Sequence, residues 1–283
     1  MKKTETFKEI QPWDSYRGIV RSRKGGWLRG KGVFIHGYSM MEDLVGKTSF
    51  FQVMILNATG RLPERRLADW FEALQICLSY PDPRIWCNQV GALGGTMRTS
   101  AVAATGAGIL AHDSKIYGPK TLVKGMTFIQ KALSKQKEGL SVKEIVSAEI
   151  APSGGKPKIM GYGRPVVRGD ERLPAMERVA RELEFSVGEH LELAYQVEKI
   201  LMEEFDEGMN ISGYMAAFLS DQGYSPQEAY QIVPVLVASG VTACYVDTLE
   251  RPAETFLPLR CDDMDYQGPP PRPVPLPEGR EKS

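Results

Sequence analysis

Apolar residues recur at helical spacing along most of this chain, and few segments alternate as strands do. Within 64–79, Leu67, Trp70, Phe71, Leu74 and Leu78 line one stripe, the three-to-four periodicity of a helix with one buried face. The spacing returns in 172–185, through Leu173, Met176, Val179, Ala180 and Leu183, and in 189–205, through Leu193, Val197, Ile200 and Leu201. Residues 40–56 and 231–249 are predicted to be helical as well. The punctuation agrees. Ser141-Val142-Lys143-Glu144 and Ser225-Pro226-Gln227-Glu228 fit the capping box, in which serine and glutamate satisfy free amides reciprocally. Pro226 falls at a first helical position, where its missing N–H costs nothing, and Gly60 is available as a C-cap. Strand signals are confined to 33–35 and 158–160. The expected fold class is all-α.

The 283 residues suffice for one large domain or two modest ones. Thirty-five basic and 35 acidic residues cancel, which argues against nucleic acid or a membrane surface as partner. No apolar run approaches the roughly 20 residues that cross a bilayer, and no apolar core follows the basic Met1-Lys2-Lys3, so no signal peptide is expected. Cys77, Cys87, Cys244 and Cys261 are scattered. That spacing gives no zinc motif and suits reduced thiols in a cytoplasm. Ala, Gly, Ser and Thr dominate 91–111, predicting one buried helix at a crowded contact and suggesting a dimer seam. The first 30 residues, with Arg17, Arg21, Arg23, Lys24 and Arg29, read as an irregular basic arm, and the proline-rich tail from Gly268 as non-regular.

The most unusual stretch is 158–172. Gly161-Tyr162-Gly163 allows backbone conformations closed to other residues and lets main-chain amides approach a ligand. Arg164, Arg168 and Arg172 follow, the last opening a predicted helix where the dipole also favours anions. On residues alone two readings stay open: an anion site, or a surface loop whose arginines pair with Asp170 and Glu171.

This segment is similar to the glycine–aromatic–glycine–histidine motif of citrate synthases, which continues to a basic residue and Asp-Pro-Arg. Further resemblances lie in order along the chain. They are Ile35-His36-Gly37-Tyr38 with Asp43-Leu44, Gly60-Arg61-Leu62-Pro63, Gly118-Pro119, Met209-Asn210-Ile211-Ser212-Gly213, and Arg260 followed by Tyr266 and Gly268. The chain thus resembles the citrate synthase superfamily over roughly residues 33 to 268, and its short length looks most like citryl-CoA lyases. The resemblance implies a homodimer with a discontinuous large helical domain (1–121 and 223–283), a small inserted domain (122–222) and a cleft between them. It also implies an acyltransferase or lyase acting on a coenzyme A thioester and a small carboxylate, with no permanently bound cofactor and no metal.

Carried over position by position, Arg172, Arg260 and His36 fall in the substrate-binding set, while Gly161, Tyr162, Gly163, Arg168 and Asn210 fall near coenzyme A. The family's proton-moving histidine, histidine and aspartate are matched here by Thr121, Arg164 and Ser212. A further carboxylate-binding arginine, expected near Val237, is absent. Arginine stays protonated and cannot shuttle a proton, and a serine needs an activating base. The expectation is therefore an enzyme with altered acid–base residues or, alternatively, a non-catalytic ligand sensor or interaction subunit. Of the histidines, His190 reads as a solvated helix residue and His112 as part of a turn; Asp170 reads as an ion-pair or capping residue.

Overall fold

The computed structural model describes residues 13–18, 20–164, 169–253, 255 and 260–274. Among the described residues, eleven α-helices follow a small N-terminal sheet: α1 Phe50–Thr59, α2 Arg65–Leu78, α3 Trp86–Thr96, α4 Ala101–His112, α5 Pro119–Lys137, α6 Val142–Ile150, α7 Arg172–Glu182, α8 Glu189–Phe205, α9 Ile211–Asp221, α10 Pro226–Ile232 and α11 Ala238–Leu249. The sheet is an antiparallel meander of β1 Gly25–Leu28, β2 Gly32–Ile35 and β3 Tyr38–Ser39, in that order.

The anticipated helix starts hold. Ser141 caps α6 and Ser225 caps α10 in complete capping boxes, and Gly60, at φ 81°, closes α1 by donating to the Leu56 carbonyl at 2.7 Å. Other boundaries differ. The helix expected over 40–56 is a π-helical turn, Met40–Leu44, followed by α1, which begins at a third capping box formed by Ser49 and Gln52. The single helix expected over 91–111 is two. Arg98 breaks it with φ 59°, and its guanidinium donates to the carbonyls of Gly95, Thr248 and Leu249 at 3.2, 3.2 and 2.6 Å, closing the ends of α3 and α11 together. The predicted burial of this region holds for α3 and one face of α4 only, since Val102 and Leu110 are 84% and 77% exposed.

The strand predicted at 158–160 does not form, and only Tyr162 bridges to Met209. Conversely, the arm read as irregular contains β1. The apolar-run expectation also needs correction: Pro226–Leu249 is long and apolar enough, by length and composition, to cross a membrane. It is α10 and α11 joined by a 3-10 stretch, Val233–Val237, and its apolar residues Ile232, Leu236, Val241 and Cys244 are buried inside the protein.

One principal core draws on α1, α2 and α5 to α10. At its centre the Trp70 ring stacks on Phe218 at 4.1 Å. A second, smaller core joins α3, α4 and α11 around Cys87, Val237 and Val241. Small residues make this second contact possible: a Cβ on Gly95 would lie 2.1 Å from the Thr248 hydroxyl oxygen and 2.2 Å from the Tyr245 carbonyl.

Candidate active site

The Gly161–Gly163 loop is fixed by backbone against the start of α9. Gly163 N donates to the Gly208 carbonyl at 2.8 Å, and Asn210 N donates to the Gly161 carbonyl at 2.9 Å. Gly161 adopts φ 104°, and a Cβ there would lie 2.7 Å from the Gly213 Cα, so both positions need glycine for this approach. Asn210 is the N-cap of α9. Its Oδ1 accepts from Ser212 N and Gly213 N at 2.9 and 3.3 Å, while its Nδ2 donates to the Gly163 carbonyl at 2.8 Å. Tyr162 turns inward and donates to the Ala194 carbonyl at 3.0 Å; burial raises its phenol far above the ordinary range.

Asp170 ties the loop to two helices. Its carboxylate is 0% exposed and accepts from Arg172 Nε at 2.7 Å, Arg172 Nη2 at 2.6 Å and Ile211 N at 2.8 Å. Burial alone would raise this carboxyl. The hydrogen bonds and charge of Arg172, with the Ile211 and Arg172 amides, overcome burial and hold it below the usual range. The ion-pair and capping roles expected of Asp170 are both present. Arg164 sits 3.8 Å from the same carboxylate and pairs with Glu171 through both terminal nitrogens, Nη2 to Oε1 at 3.2 Å and Nη1 to Oε2. The two side chains are only 15% and 19% exposed for Arg164 and Arg172, so both charges lie in a partly dry setting.

Helix packing brings three N-termini to one end. Along α5 and α9, a Cβ on Gly125 would lie 3.3 Å from Ala216, and Gln130 Nε2 donates to the Ser220 hydroxyl at 3.1 Å. These matched positions run in the same direction, so Thr121 and Ser212, one turn earlier in each helix, share an end. Asp170 likewise joins the start of α7 to the start of α9. Helix N-termini carry a partial positive charge; here the first amides of α9 are taken by Asp170 and Asn210 and that of Arg172 by Asp170. Arg164 and Arg172 lie beside the starts of α7 and α9, each already paired with a carboxylate, Glu171 and Asp170 respectively.

Thr121 is buried, and its hydroxyl donates to the Gly118 carbonyl at 2.7 Å. The Ser212 hydroxyl is buried with no hydrogen-bond partner among the described residues. His36, at φ 47° in the β2–β3 turn, packs its ring 3.4 Å from a Cβ position on Gly60, at the end of α1. Arg260 is exposed, and its main-chain N–H donates to Asp263 Oδ2 at 2.9 Å. Arg168 lies outside the described residues. His190 is not merely solvated: its Nδ1 and Asp221 Oδ1 are 2.8 Å apart, and Asp221 also receives the His190 and Leu191 amides.

His112 carries more of this region than its sequence context suggests. It is buried beneath the start of α5, with its ring edge-on to Tyr117 at 5.0 Å, and its Nδ1 has no partner among the described residues. Burial lowers its pKa to about 4, leaving a neutral imidazole at pH 7. Nearby, Lys115, Lys120, Lys124, Gln227 and Tyr230 line an open groove of about 270 Å³. Among the described residues, no group of three His, Cys, Asp or Glu is placed to hold a metal.

No family profile and no curated protein sequence matches the chain. Solved structures do. Citryl-CoA lyase from Hydrogenobacter thermophilus superposes with a TM-score of 0.75 at 26% identity, covering 91% of this chain and 98% of the lyase. The chain belongs to the citrate synthase superfamily. Two more distant superfamily structures share the fold. ATP citrate lyase from Methanothrix soehngenii, in complex with citrate and coenzyme A, matches at TM-score 0.70 and 15% identity. Citrate synthase from Thermoplasma acidophilum, in a ternary complex with carboxymethyl coenzyme A and oxaloacetate, matches at 0.59 and 17%. This superfamily member spans 46% of the ATP citrate lyase chain and 59% of the citrate synthase chain, against almost all of citryl-CoA lyase.

Proposed function

We propose that this protein acts on a coenzyme A thioester and a small carboxylate, making or breaking the carbon–carbon bond beside the thioester. The observation that carries this reading is the convergence of Arg164 and Arg172 on the shared end of α5, α7 and α9. The likeness to citryl-CoA lyase over nearly its whole length supports it. Arg164, Thr121 and Ser212 stand, in our reading, where the superfamily keeps its proton-moving residues. A guanidinium there stabilises an oxyanion on the thioester or keto oxygen but neither takes up nor releases a proton at neutral pH. Cleavage removes the proton of the substrate hydroxyl as the carbon–carbon bond breaks and returns a proton to the α-carbon of the enolate; in either direction Arg164 would stabilise the oxyanion while solvent water takes up and supplies those protons. Coenzyme A enters as substrate. The loop at 161–163 and the start of α9 flank its thioester end, and the lysine-lined groove suits its phosphates.

The two-part division, 1–121 with 223–283 around 122–222, is part of the proposal. The boundary falls inside α5, at Thr121, and Arg164, Arg172 and Ser212 belong to the second part, so the site would lie beside the junction. We further propose a homodimer. Val102 and Leu110 on α4, and Met97 before it, are large apolar side chains left exposed, at 84%, 77% and 70%. Light scattering is expected to give twice the chain mass for the wild type and the single chain mass for Val102→Asp/Leu110→Asp; a monomeric wild type would end this part of the proposal.

A non-catalytic ligand sensor is the second reading, favoured by the Ser212 hydroxyl having no activating partner among the described residues. Thermal denaturation with coenzyme A, acetyl-CoA, oxaloacetate and citrate separates the two. A ligand at a hundred times its Kd stabilises by about 2.7 kcal/mol, equivalent to a rise of roughly 5–10 °C in a chain of this size. Stabilisation with release of free thiol or cleavage of citryl-CoA supports the enzyme, and stabilisation with no product supports the sensor. If none of these compounds moves the melting temperature, both readings fall.

A further inference from the structure

We propose that Glu171 is the specificity-determining residue of this site: its carboxylate occupies the Arg164 fork as an internal stand-in, and a ligand carboxylate enters by displacing it. This deepens the reading above and rests on it for the identity of the site. Glu171 is the N-cap residue of α7, yet its side chain makes no capping hydrogen bond. It lies on Arg164 instead, with both carboxylate oxygens against both terminal nitrogens of the guanidinium. That is the fork-to-fork geometry in which arginine recognises a carboxylic acid.

The two acidic residues of the loop differ in whether they can leave. Asp170 is fully buried and also holds the Ile211 amide, so it stays on Arg172. Glu171 is 65% exposed, and a rotation about its side-chain bonds frees Arg164 without moving the backbone. Arg164 keeps its own position, at 15% exposure and 3.8 Å from Asp170. Among the described residues, the vacated guanidinium would face one fixed carboxylate and the N-termini of α7 and α9. Such a setting rewards a ligand that brings a planar, charged acid and gives a neutral analogue nothing with which to displace Glu171.

The test is calorimetric titration of the full-length protein with citrate and, separately, with coenzyme A, using wild type, Glu171→Gln, Glu171→Asp and Arg164→Ala/Glu171→Gln. Exposed ion pairs contribute up to about 1 kcal/mol, so removing the competitor is expected to tighten citrate binding about three- to fivefold in Glu171→Gln. Glu171→Asp, one methylene too short to reach, is expected to behave like Glu171→Gln, and the gain is expected to vanish in the double variant. Citrate affinity that is unchanged or weaker in Glu171→Gln overturns the proposal, as does a gain that survives loss of Arg164, or a failure of every form to bind citrate. Coenzyme A binding reports on the functional reading separately. A citrate gain without coenzyme A binding upholds the role of Glu171 and removes the thioester reading; the reverse pattern does the opposite.

Discussion

Asp170→Ala is expected to lower the melting temperature by about 10 °C, the largest stability loss of any single change at the site. The side chain is wholly buried and serves two clients, the Arg172 guanidinium and the Ile211 amide. Removing one partner of a buried pair costs about 3–5 kcal/mol, because the other charge is left uncompensated, and roughly 2–4 °C accompany each kcal/mol in a domain of this size. The loss is also structural, since Asp170 is the direct bond between the start of α7 and the start of α9. Acidity tests the same pair. Its folded pKa is depressed, so its contribution is present above the unfolded value of about 3.9 and is lost as pH falls through the lower folded value. Wild type is therefore expected to lose stability across that acid window more steeply than Asp170→Asn. Urea titrations at a series of pH values measure the difference, and parallel curves would show that the pair contributes nothing.

Much of the helical framework is legible in the sequence because its signals are local. The serine–glutamate boxes at Ser141 and Ser225, the stripe from Leu67 to Leu78 and Gly60 at the end of α1 each act within one or two turns. The features that leave no local mark depend on distant partners. All four residues of β1 are exposed and without alternation, and its pairing to β2 runs through the main chain. The break between α3 and α4 is set by Arg98 reaching the end of α11 some 150 positions away, while the composition on either side of it is the same.

The site divides in the same way. The residues of 158–172 announce an unusual loop, and the pairing reading is met for two of its arginines: Arg164 lies on Glu171 and Arg172 on Asp170, where the starts of α7 and α9 meet. Which acid takes which arginine is decided by the Ile211 amide, 41 residues away. The common end of Thr121 and Ser212 follows from how α5 lies along α9. Nothing around His112 in the sequence marks it as more than a turn residue, and its burial comes from Gly118 and Tyr117 folding over it.

The second large effect concerns Arg164. If its guanidinium is the group that receives the acid, Arg164→Ala removes a paired set of charge-assisted hydrogen bonds, each contributing about 1.5–3 kcal/mol. A net loss near 2 kcal/mol corresponds to about 30-fold in affinity. Arg164 is not among the fully buried core residues, so the fold is expected to survive the change, with the melting temperature as its control. Citrate titrated into the coenzyme A-saturated protein by calorimetry gives the answer under the enzyme and the sensor readings alike. The account predicts a dissociation constant roughly 30 times higher in Arg164→Ala than in wild type; an equal constant in the two proteins would contradict it.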